Sequence, residues 1–280
     1  MLRGLPNVNA VGIGRKFTGG EPTEDIGIVV QVDRKMDLPA EKEIPRQLES
    51  CDGMLVTDVV ESGPSRFLGM RSGHGIVGAN NDAGICGLTF PAGGRNFALT
   101  CAHVAVNVWT EDESPILWQT VQGNVTAGHL LAFTSFSGNE ITADGAVITL
   151  LPGIQVEPWR VTGQSSSITA FANFKVNDTD RFFYAVPGAI VECRVPTWMK
   201  SGDVVVNDQI CPVADFWSLR VVSGIAVPGH SGALVVKKGI GRLIAMGFLF
   251  AGSEEDGLQT IWVFPFERIW RRLHLGPLPI

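Results

Sequence analysis

The sequence lacks the features that would direct a protein into a membrane or onto a nucleic acid. It contains no window of about 20 consecutive apolar residues, so we expect no membrane-spanning helix. Residues 1–10 hold no apolar stretch of about 7–15 residues before a cleavage site, so we expect no signal peptide. The formal net charge of −6 gives no electrostatic reason to bind nucleic acid or an anionic lipid surface. We therefore expect no nucleic acid and no membrane among the partners.

Cysteine is scarce as well. The 5 cysteines form no Cys-x-x-Cys pair and no Cys/His cluster of the kind that binds zinc, so we expect no metal. Their odd number and their placement favour buried, reduced thiols in a cytoplasmic protein.

Gly73–Gly78 matches a dinucleotide-binding fingerprint in form, but a turn and a strand follow where that fingerprint needs a helix. We accordingly expect no cofactor.

The abundant residues indicate a β-rich fold. The chain is 45% apolar and only 18% charged, with 33 glycines and 16 prolines, which suits an all-β protein with many tight turns. Its 280 residues are enough for one large β domain or two smaller ones. Short strand-like runs separated by turn signals continue from Cys86 to Val263, and helical spacing appears at Phe266–Leu273. The predicted strands include Val121–Val125, His129–Phe133 and Val204–Pro212. We also expect Cys86–Phe90 and Phe97–Cys101 to pair through a hairpin turn at residues 91–96.

Three short blocks carry the residues of a serine hydrolase. Ser231 lies in a glycine-rich turn before an apolar run, which can expose its hydroxyl and aim backbone N–H groups at the carbonyl under attack. A serine hydroxyl needs a base, and histidine is the natural one because its pKa lies close to neutrality. A carboxylate behind the imidazole fixes its tautomer. The blocks are Leu99–Val104 with His103, Ala143–Ile148 with Asp144, and Pro228–Ala233 with Ser231.

These blocks resemble the three signature segments of the chymotrypsin/trypsin-like serine proteases, including bacterial members of the family. They follow that family's chain order, with separations of 41 residues (103 to 144) and 87 residues (144 to 231), and the resemblance covers residues 70–275. It implies that Ser231 is the nucleophile, His103 the general base and Asp144 the residue that orients the imidazole. It also implies an oxyanion hole formed by the backbone N–H groups of Gly229 and Ser231.

The resemblance further implies the architecture. We expect a mainly β fold of two six-stranded antiparallel β-barrels followed by a C-terminal helix, with barrel one at about residues 70–152, barrel two at about 158–265 and the helix at about 266–274. Residues 67–280 would form this protease domain. Residues 1–66 fall outside it and are predicted to form a small α/β appendage, with strands at Val11–Lys16, Ile26–Val32 and Met54–Val60 and a helical turn within Leu38–Leu48.

Substrate-binding residues are also implied by the resemblance. Gly247–Gly252 resembles the strand that lines the primary pocket and hydrogen-bonds the substrate backbone, and Gly224–Val227 would form the pocket floor. The floor is apolar, which favours an aliphatic or aromatic substrate side chain, whereas the acidic rim Glu254–Asp256 could reach a lysine or arginine. The implied substrate-binding residues are Ile225, Ala226, Phe250, Ala251 and Gly252.

The sequence departs from the family pattern at three positions. The family often has a serine at the position of Phe250, where it contacts the buried aspartate. Cys86 lies where the family often has half of a disulfide, but Val104 occupies the other half's place. Animal trypsins carry an aspartate at the position of His230 that pairs with a freed N terminus. Because no Ile-Val-Gly-Gly activation site is present either, we expect no activating cleavage.

The sequence therefore predicts a serine endopeptidase that forms an acyl-enzyme with a protein or peptide substrate, and that processes a specific protein partner. One alternative is an inactive pseudo-protease that uses the double barrel as a binding module. Another is an esterase of the α/β-hydrolase type. That fold orders its residues as serine, acid and histidine, and His274 is the only histidine after Ser231.

Overall fold

The structure is a computed structural model. It describes residues 2, 5, 7–18, 21–32, 34–36, 43–50, 53–61, 66–67, 75–78, 83–106, 115–120, 123–136, 140–152, 154, 156, 159, 161, 164, 166–171, 180–186, 188–206 and 209–277.

The described residues are dominated by strands, which confirms the prediction of a mainly β fold that ends in a helix. Neither described helix has the length and apolar character needed to cross a bilayer. The strands are β1 (Val8–Thr18), β2 (Glu21–Val32), β3 (Gln47–Ser50), β4 (Gly53–Glu61), β5 (Arg66–Phe67), β6 (Gly75–Val77), β7 (Ala83–Ile85), β8 (Leu88–Ala92), β9 (Arg95–Thr100), β10 (Ile116–Thr120), β11 (Gly123–Phe133), β12 (Ala146–Leu150), β13 (Ile168–Phe171), β14 (Phe182–Val186), β15 (Ala189–Val206), β16 (Gln209–Ser223), β17 (Leu234–Gly239), β18 (Arg242–Glu255) and β19 (Leu258–Pro265). The helices are α1 (Ala102–Ala105) and α2 (Phe266–Arg272).

The first sheet has the strand order β7-β6-β10-β11-β12-β9-β8. Its pairs are antiparallel, and the hairpin between β8 and β9 turns at Gly93 and Gly94, whose φ angles are 56° and 76°. Positive φ at both central residues is what a tight two-residue hairpin turn requires, and glycine adopts it without steric cost. The order also places β12 beside β9, so the segment before β12 lies next to the segment after β9.

The second sheet contains the order β14-β17-β18-β19-β16-β15, and β14 pairs with β15 as well. These six strands therefore form a continuous circuit of backbone pairings. The sheet then extends from β15 through β1, β2, β4 and β3. The amino-terminal strands thus continue the second sheet, with Ala10 opposite Gly202 and Ile13 opposite Trp198.

The amino-terminal segment differs in detail from its prediction. The three predicted strands lie within β1, β2 and β4, but the described residues of this segment show no α-helix. Residues 37–42, where much of the predicted helical turn falls, lie outside the described residues, and residues 47–48 begin β3.

Two strand boundaries further along the chain also differ. The predicted strand Val204–Pro212 is divided between β15 and β16, which pair antiparallel with Val206 opposite Gln209. Asn and Asp are residue types that favour turns, but in the sequence the apolar runs on both sides of positions 207 and 208 obscure this preference. Conversely, the predicted strands Val121–Val125 and His129–Phe133 overlap a single strand, β11, because β10 and β12 pair with it on both sides.

Stacked aromatic side chains fill the core of the second sheet. The rings of Phe250 and Phe264 lie 3.9 Å apart between centroids, and Phe216 meets Phe250 edge-on at 5.7 Å. All three side chains are fully buried. Such a cluster combines a large buried apolar area with favourable ring geometry. The inward side chains of β18 therefore belong to the core, and the strand contacts other groups through its backbone.

Helix α2 packs against the turn that carries Asp144. Ile269 of α2 is fully buried, and a Cβ atom placed on Gly145 would lie 2.3 Å from its Cγ2 atom. Any larger residue would therefore collide with the helix. The glycine that follows Asp144 lets the C-terminal helix seat directly on this part of the first sheet.

Replacement of Phe250 tests this core. We expect Phe250→Ala to lower the free energy of unfolding by about 3–5 kcal/mol, because it removes a buried ring from a close-packed stack. Urea denaturation measured by circular dichroism gives the value. The matched control is Leu131→Ala, whose side chain on β11 is 57% exposed and whose loss should change stability by about 0.5 kcal/mol or less. Equal losses in the two variants would contradict this description of the core.

Candidate active site

Two neighbouring strands bring His103 and Asp144 together. β9 and β12 pair antiparallel with Thr100 opposite Ala146, so the residues just after β9 and just before β12 lie at the same end of the sheet. His103 follows β9 within the short helix α1, and Asp144 precedes β12. The Nδ1 atom of His103 lies 2.5 Å from the Oδ2 atom of Asp144. The backbone N–H of His103 donates to Oδ1 at 3.2 Å.

This contact defines which imidazole nitrogen can act as a base. An ionised carboxylate only accepts hydrogen bonds, so the Nδ1 atom that faces Asp144 carries a proton. In the neutral imidazole the Nε2 atom is then the basic nitrogen. Asp144 is fully buried and His103 is 9% exposed, so water does not compete for the hydrogen bond between their side chains.

The backbone on both sides of Asp144 is held by Thr134. The Thr134 hydroxyl donates to the carbonyl of Ala143 at 3.1 Å and accepts the N–H of Gly145 at 2.9 Å. The Thr134 N–H also donates to the carbonyl of Gly145 at 2.8 Å. Since Thr134 directly follows β11, the first sheet fixes the carboxylate from two of its strands.

The turn that carries Ser231 packs against the segment that carries His103. The N–H of Gly232 and the thiol of Cys101 both donate to the carbonyl of Leu249, at 2.8 and 3.2 Å. Cys101 lies two residues before His103, so this carbonyl in β18 joins the two segments. The carbonyl of Ser231 in turn accepts the N–H of Ile85 at 2.7 Å.

Glycine at 232 is required by this packing. Its φ angle is 88°, and a Cβ atom there would lie 2.3 Å from both the Ile85 carbonyl and the Thr100 hydroxyl. Both constraints exclude a larger residue directly after Ser231. The structure thus brings the three predicted catalytic segments to one region.

Ser231 is fully buried in this structure. A peptide carbonyl must reach the hydroxyl in order to react with it. The described conformation leaves no part of Ser231 open to solvent.

Cys101, His103 and Asp144 are the only group among the described residues whose donor atoms are close enough to suggest a metal ion, since these atoms all lie within 4.8 Å of one another. Their geometry suits a hydrogen bond instead. Two ligands of a tetrahedral zinc ion lie about 3.3 Å apart, which exceeds the 2.5 Å between the Nδ1 and Oδ2 atoms. Burial, followed by the nearby Asp144 charge, raises the pKa of the Cys101 thiol well above its usual value, whereas a metal ligand must be a thiolate.

The predicted oxyanion residues lie in a tight turn. Gly229 is buried and has a φ angle of 98°. Within the turn, the N–H of His230 donates to the carbonyl of Val227 at 3.2 Å, and the N–H of Ala233 donates to the carbonyl of His230 at 3.0 Å. The predicted donors at 229 and 231 are the two residues on either side of His230.

The predicted pocket floor and rim are connected by Gln259, which the sequence did not single out. Its Oε1 atom accepts the N–H of Ala226 at 2.7 Å, and its Nε2 atom donates to the carbonyl of Ala226 at 3.0 Å. The same Nε2 atom lies 2.7 Å from the Oε2 atom of Glu254. Ile225, beside this clamp, exposes 64% of its surface.

The remaining predicted substrate residues lie on β18 and serve two different purposes. The side chain of Phe250 belongs to the core, so only its backbone can contact a substrate. Ala251 and Gly252 pair antiparallel with β5, with Phe67 opposite Ala251 and Arg66 opposite Gly252. A segment of the chain itself therefore runs along the edge predicted to bind the substrate backbone.

Tyr184 is a further residue that sequence reasoning missed. Its hydroxyl lies 3.1 Å from the Nδ1 atom of His230, the residue next to Ser231. It is the only tyrosine in the chain, but its separation of 46 residues from His230 gives no local signal of the contact.

Neither a scan against models of protein families nor a comparison with curated protein sequences finds a match. Solved structures do show similarity. A glutamic-acid-specific serine protease, described as using a histidine triad in substrate binding, is 16% identical with a TM-score of 0.49, over 70% of this chain and 94% of that chain. Protease A of Thermobifida fusca is 11% identical with a TM-score of 0.48, over 71% and 92%.

The Nocardiopsis protease is 14% identical with a TM-score of 0.48, over 72% of this chain and 95% of that chain. At such identities these similarities concern the fold alone. In fold, the chain is similar to these solved proteases.

Proposed function

We propose that the protein is a serine endopeptidase in which Ser231, His103 and Asp144 act as nucleophile, base and orienting carboxylate. The observation that carries this proposal is the buried hydrogen bond between the His103 Nδ1 and Asp144 Oδ2 atoms, which leaves Nε2 as the basic nitrogen. The packing of the Ser231 turn on the segment of His103, through the Leu249 carbonyl, supports the assignment of the nucleophile.

In the proposed reaction, the Ser231 hydroxyl attacks the substrate carbonyl and gives its proton to the Nε2 atom of His103. The N–H groups of Gly229 and Ser231 stabilise the oxyanion, an interaction worth about 3–4 kcal/mol per donor in such sites. His103 then protonates the leaving amine. Water hydrolyses the resulting acyl-enzyme with His103 again acting as the base.

We also propose that the substrate is an extended peptide whose backbone pairs with Ala251 and Gly252. β5 supports this, because it already forms an antiparallel pair with that edge. The exposed apolar residues Ile225 and Val227 favour an aliphatic or aromatic side chain in the adjoining pocket. A cleavage profile on a peptide library would define the preference, and acidic-rim recognition would appear there as cleavage after lysine or arginine.

We further propose that the enzyme processes a specific protein partner in the cytoplasm, because a substrate must fit a site in which Ser231 is fully buried. The cysteines among the described residues, Cys86, Cys101, Cys193 and Cys211, are not in disulfides. This supports a reducing compartment.

A fluorophosphonate probe tests the catalytic assignment. We expect it to label the purified protein at Ser231, with labelling lost in Ser231→Ala and strongly reduced in His103→Ala, because the hydroxyl reacts only when a base takes its proton. Asp144→Asn should lower the rate of peptide cleavage about 10⁴-fold, because an amide no longer enforces the required tautomer. Mass spectrometry of the labelled peptide and a fluorogenic peptide assay give the two readouts.

The matched control for this experiment is Ser223→Ala, which removes an exposed serine at the end of β16 and should leave labelling unchanged. An unlabelled wild-type protein that remains folded would favour the binding-module alternative. Cleavage of esters but no peptides would favour an esterase.

A proline at position 67 tests whether β5 competes with the substrate. Phe67→Pro removes the backbone N–H from the strand that pairs with Ala251. Loss of one or two backbone hydrogen bonds should lower the KM for a peptide about 2- to 10-fold, with kcat little changed. Met36→Pro, in an exposed loop residue, is the control. An unchanged KM in Phe67→Pro would show that β5 and the substrate do not share this edge.

A further inference from the structure

A buried histidine lies at the centre of the proposed oxyanion turn. His230 is 7% exposed, and its backbone contributes both hydrogen bonds within the turn described above. Its side chain contacts Tyr184, which is fully buried. The rings meet edge-on, with 5.6 Å between centroids and an interplanar angle of 72°.

The hydrogen bonds at this histidine fix its tautomer. The hydroxyl of Tyr184 lies 3.1 Å from the Nδ1 atom, and the backbone N–H of Val227 points to the same atom at 3.5 Å. A backbone N–H can only donate, so Nδ1 is an acceptor and the neutral ring carries its proton on Nε2. Burial lowers the pKa of His230 to about 4, which keeps the ring neutral near pH 7.

Tyr184 is anchored by the strand that carries it. It lies on β14, where it pairs with Val191 of β15, and its neighbours Phe182 and Phe183 pair with Lys237 and Val236 of β17. Burial raises the pKa of the Tyr184 hydroxyl, so the group stays protonated and can donate. The second sheet therefore holds a fixed donor against the turn.

We propose that Tyr184 and His230 are positioning residues that hold Val227–Ser231 in the shape that aims the N–H groups of Gly229 and Ser231 at the substrate carbonyl. This inference rests on the proposed protease function. The donor comes from a strand inside the chain, so the turn is formed without a newly cut chain terminus. A neutral histidine also suits this partner. If position 230 carried an aspartate, as in animal trypsins, the single hydroxyl of Tyr184 would not offset the cost of burying the carboxylate charge.

Tyr184→Phe is the direct test, because it removes one hydroxyl and keeps the ring in the core. We expect kcat for a peptide substrate to fall about 10- to 100-fold, with KM within about 2-fold, since misplaced oxyanion donors weaken the transition state more than the bound substrate. His230→Asn retains an acceptor close to the position of Nδ1 and should keep more of the activity than His230→Leu.

A second measurement does not depend on catalysis. Hydrogen exchange in the peptide that contains residues 227–233 should become faster in Tyr184→Phe, because the turn loses its anchor. Ser218→Ala is the matched control: it removes another buried hydroxyl, which contacts Gln31, and should leave both kcat and exchange in residues 227–233 unchanged.

The outcomes separate this inference from the proposed function. If the wild-type protein is labelled at Ser231 but Tyr184→Phe has unchanged kcat and unchanged exchange, the inference is wrong and the protease assignment stands. If the wild-type protein is not labelled, the protease assignment fails. In that case the exchange measurement still decides whether Tyr184 holds the turn.

Discussion

The site depends on a carboxylate that is buried beside one histidine. Removing Asp144 from water is costly unless hydrogen bonds replace its hydration. His103 supplies two of them, one from its backbone N–H and one from its Nδ1 atom. Because both donors belong to the same residue, they fix the imidazole relative to its own backbone. The orientation of the imidazole is therefore a consequence of satisfying a buried carboxyl group.

The core and the site share their supporting elements. Thr134 closes the backbone around Asp144, and Gly145 lets α2 pack directly on the same turn. On the other sheet, β18 buries the ring of Phe250 and uses the carbonyl of Leu249 to join the turn of Ser231 to Cys101. The contacts that stabilise the two sheets thus also fix the positions of the residues in the site. Such dual use explains why glycine is required at 145 and 232.

The proposed catalytic serine and the proposed substrate-binding edge are both covered in the described conformation. Ser231 has no exposed surface, and β5 pairs with the edge of β18 at Ala251 and Gly252. An exposed sheet edge pairs readily with any extended backbone. A segment of the same chain has an advantage over a separate peptide, because its effective concentration at the edge is high. The amino-terminal segment, which joins the second sheet through β1, ends next to this edge.

The sequence by itself determined the features whose signals are local. Short apolar runs between turn signals indicated strands, paired glycines indicated the hairpin at Gly93, and helical spacing indicated α2. The three blocks around His103, Asp144 and Ser231 were recognised because each of these residues lies next to an apolar, strand-like run in the sequence. These features depend on neighbours a few residues away.

Only the tertiary structure decided which distant residues meet. The contacts of Tyr184 with His230 and of Gln259 with Ala226 join residues 46 and 33 positions apart, and nothing near either residue encodes its partner. The division of Val204–Pro212 between two strands, and the burial of Phe250, likewise follow from pairing register and from which face of β18 meets the core. Register is fixed by the packing of whole sheets, so it appears only when the chain is folded.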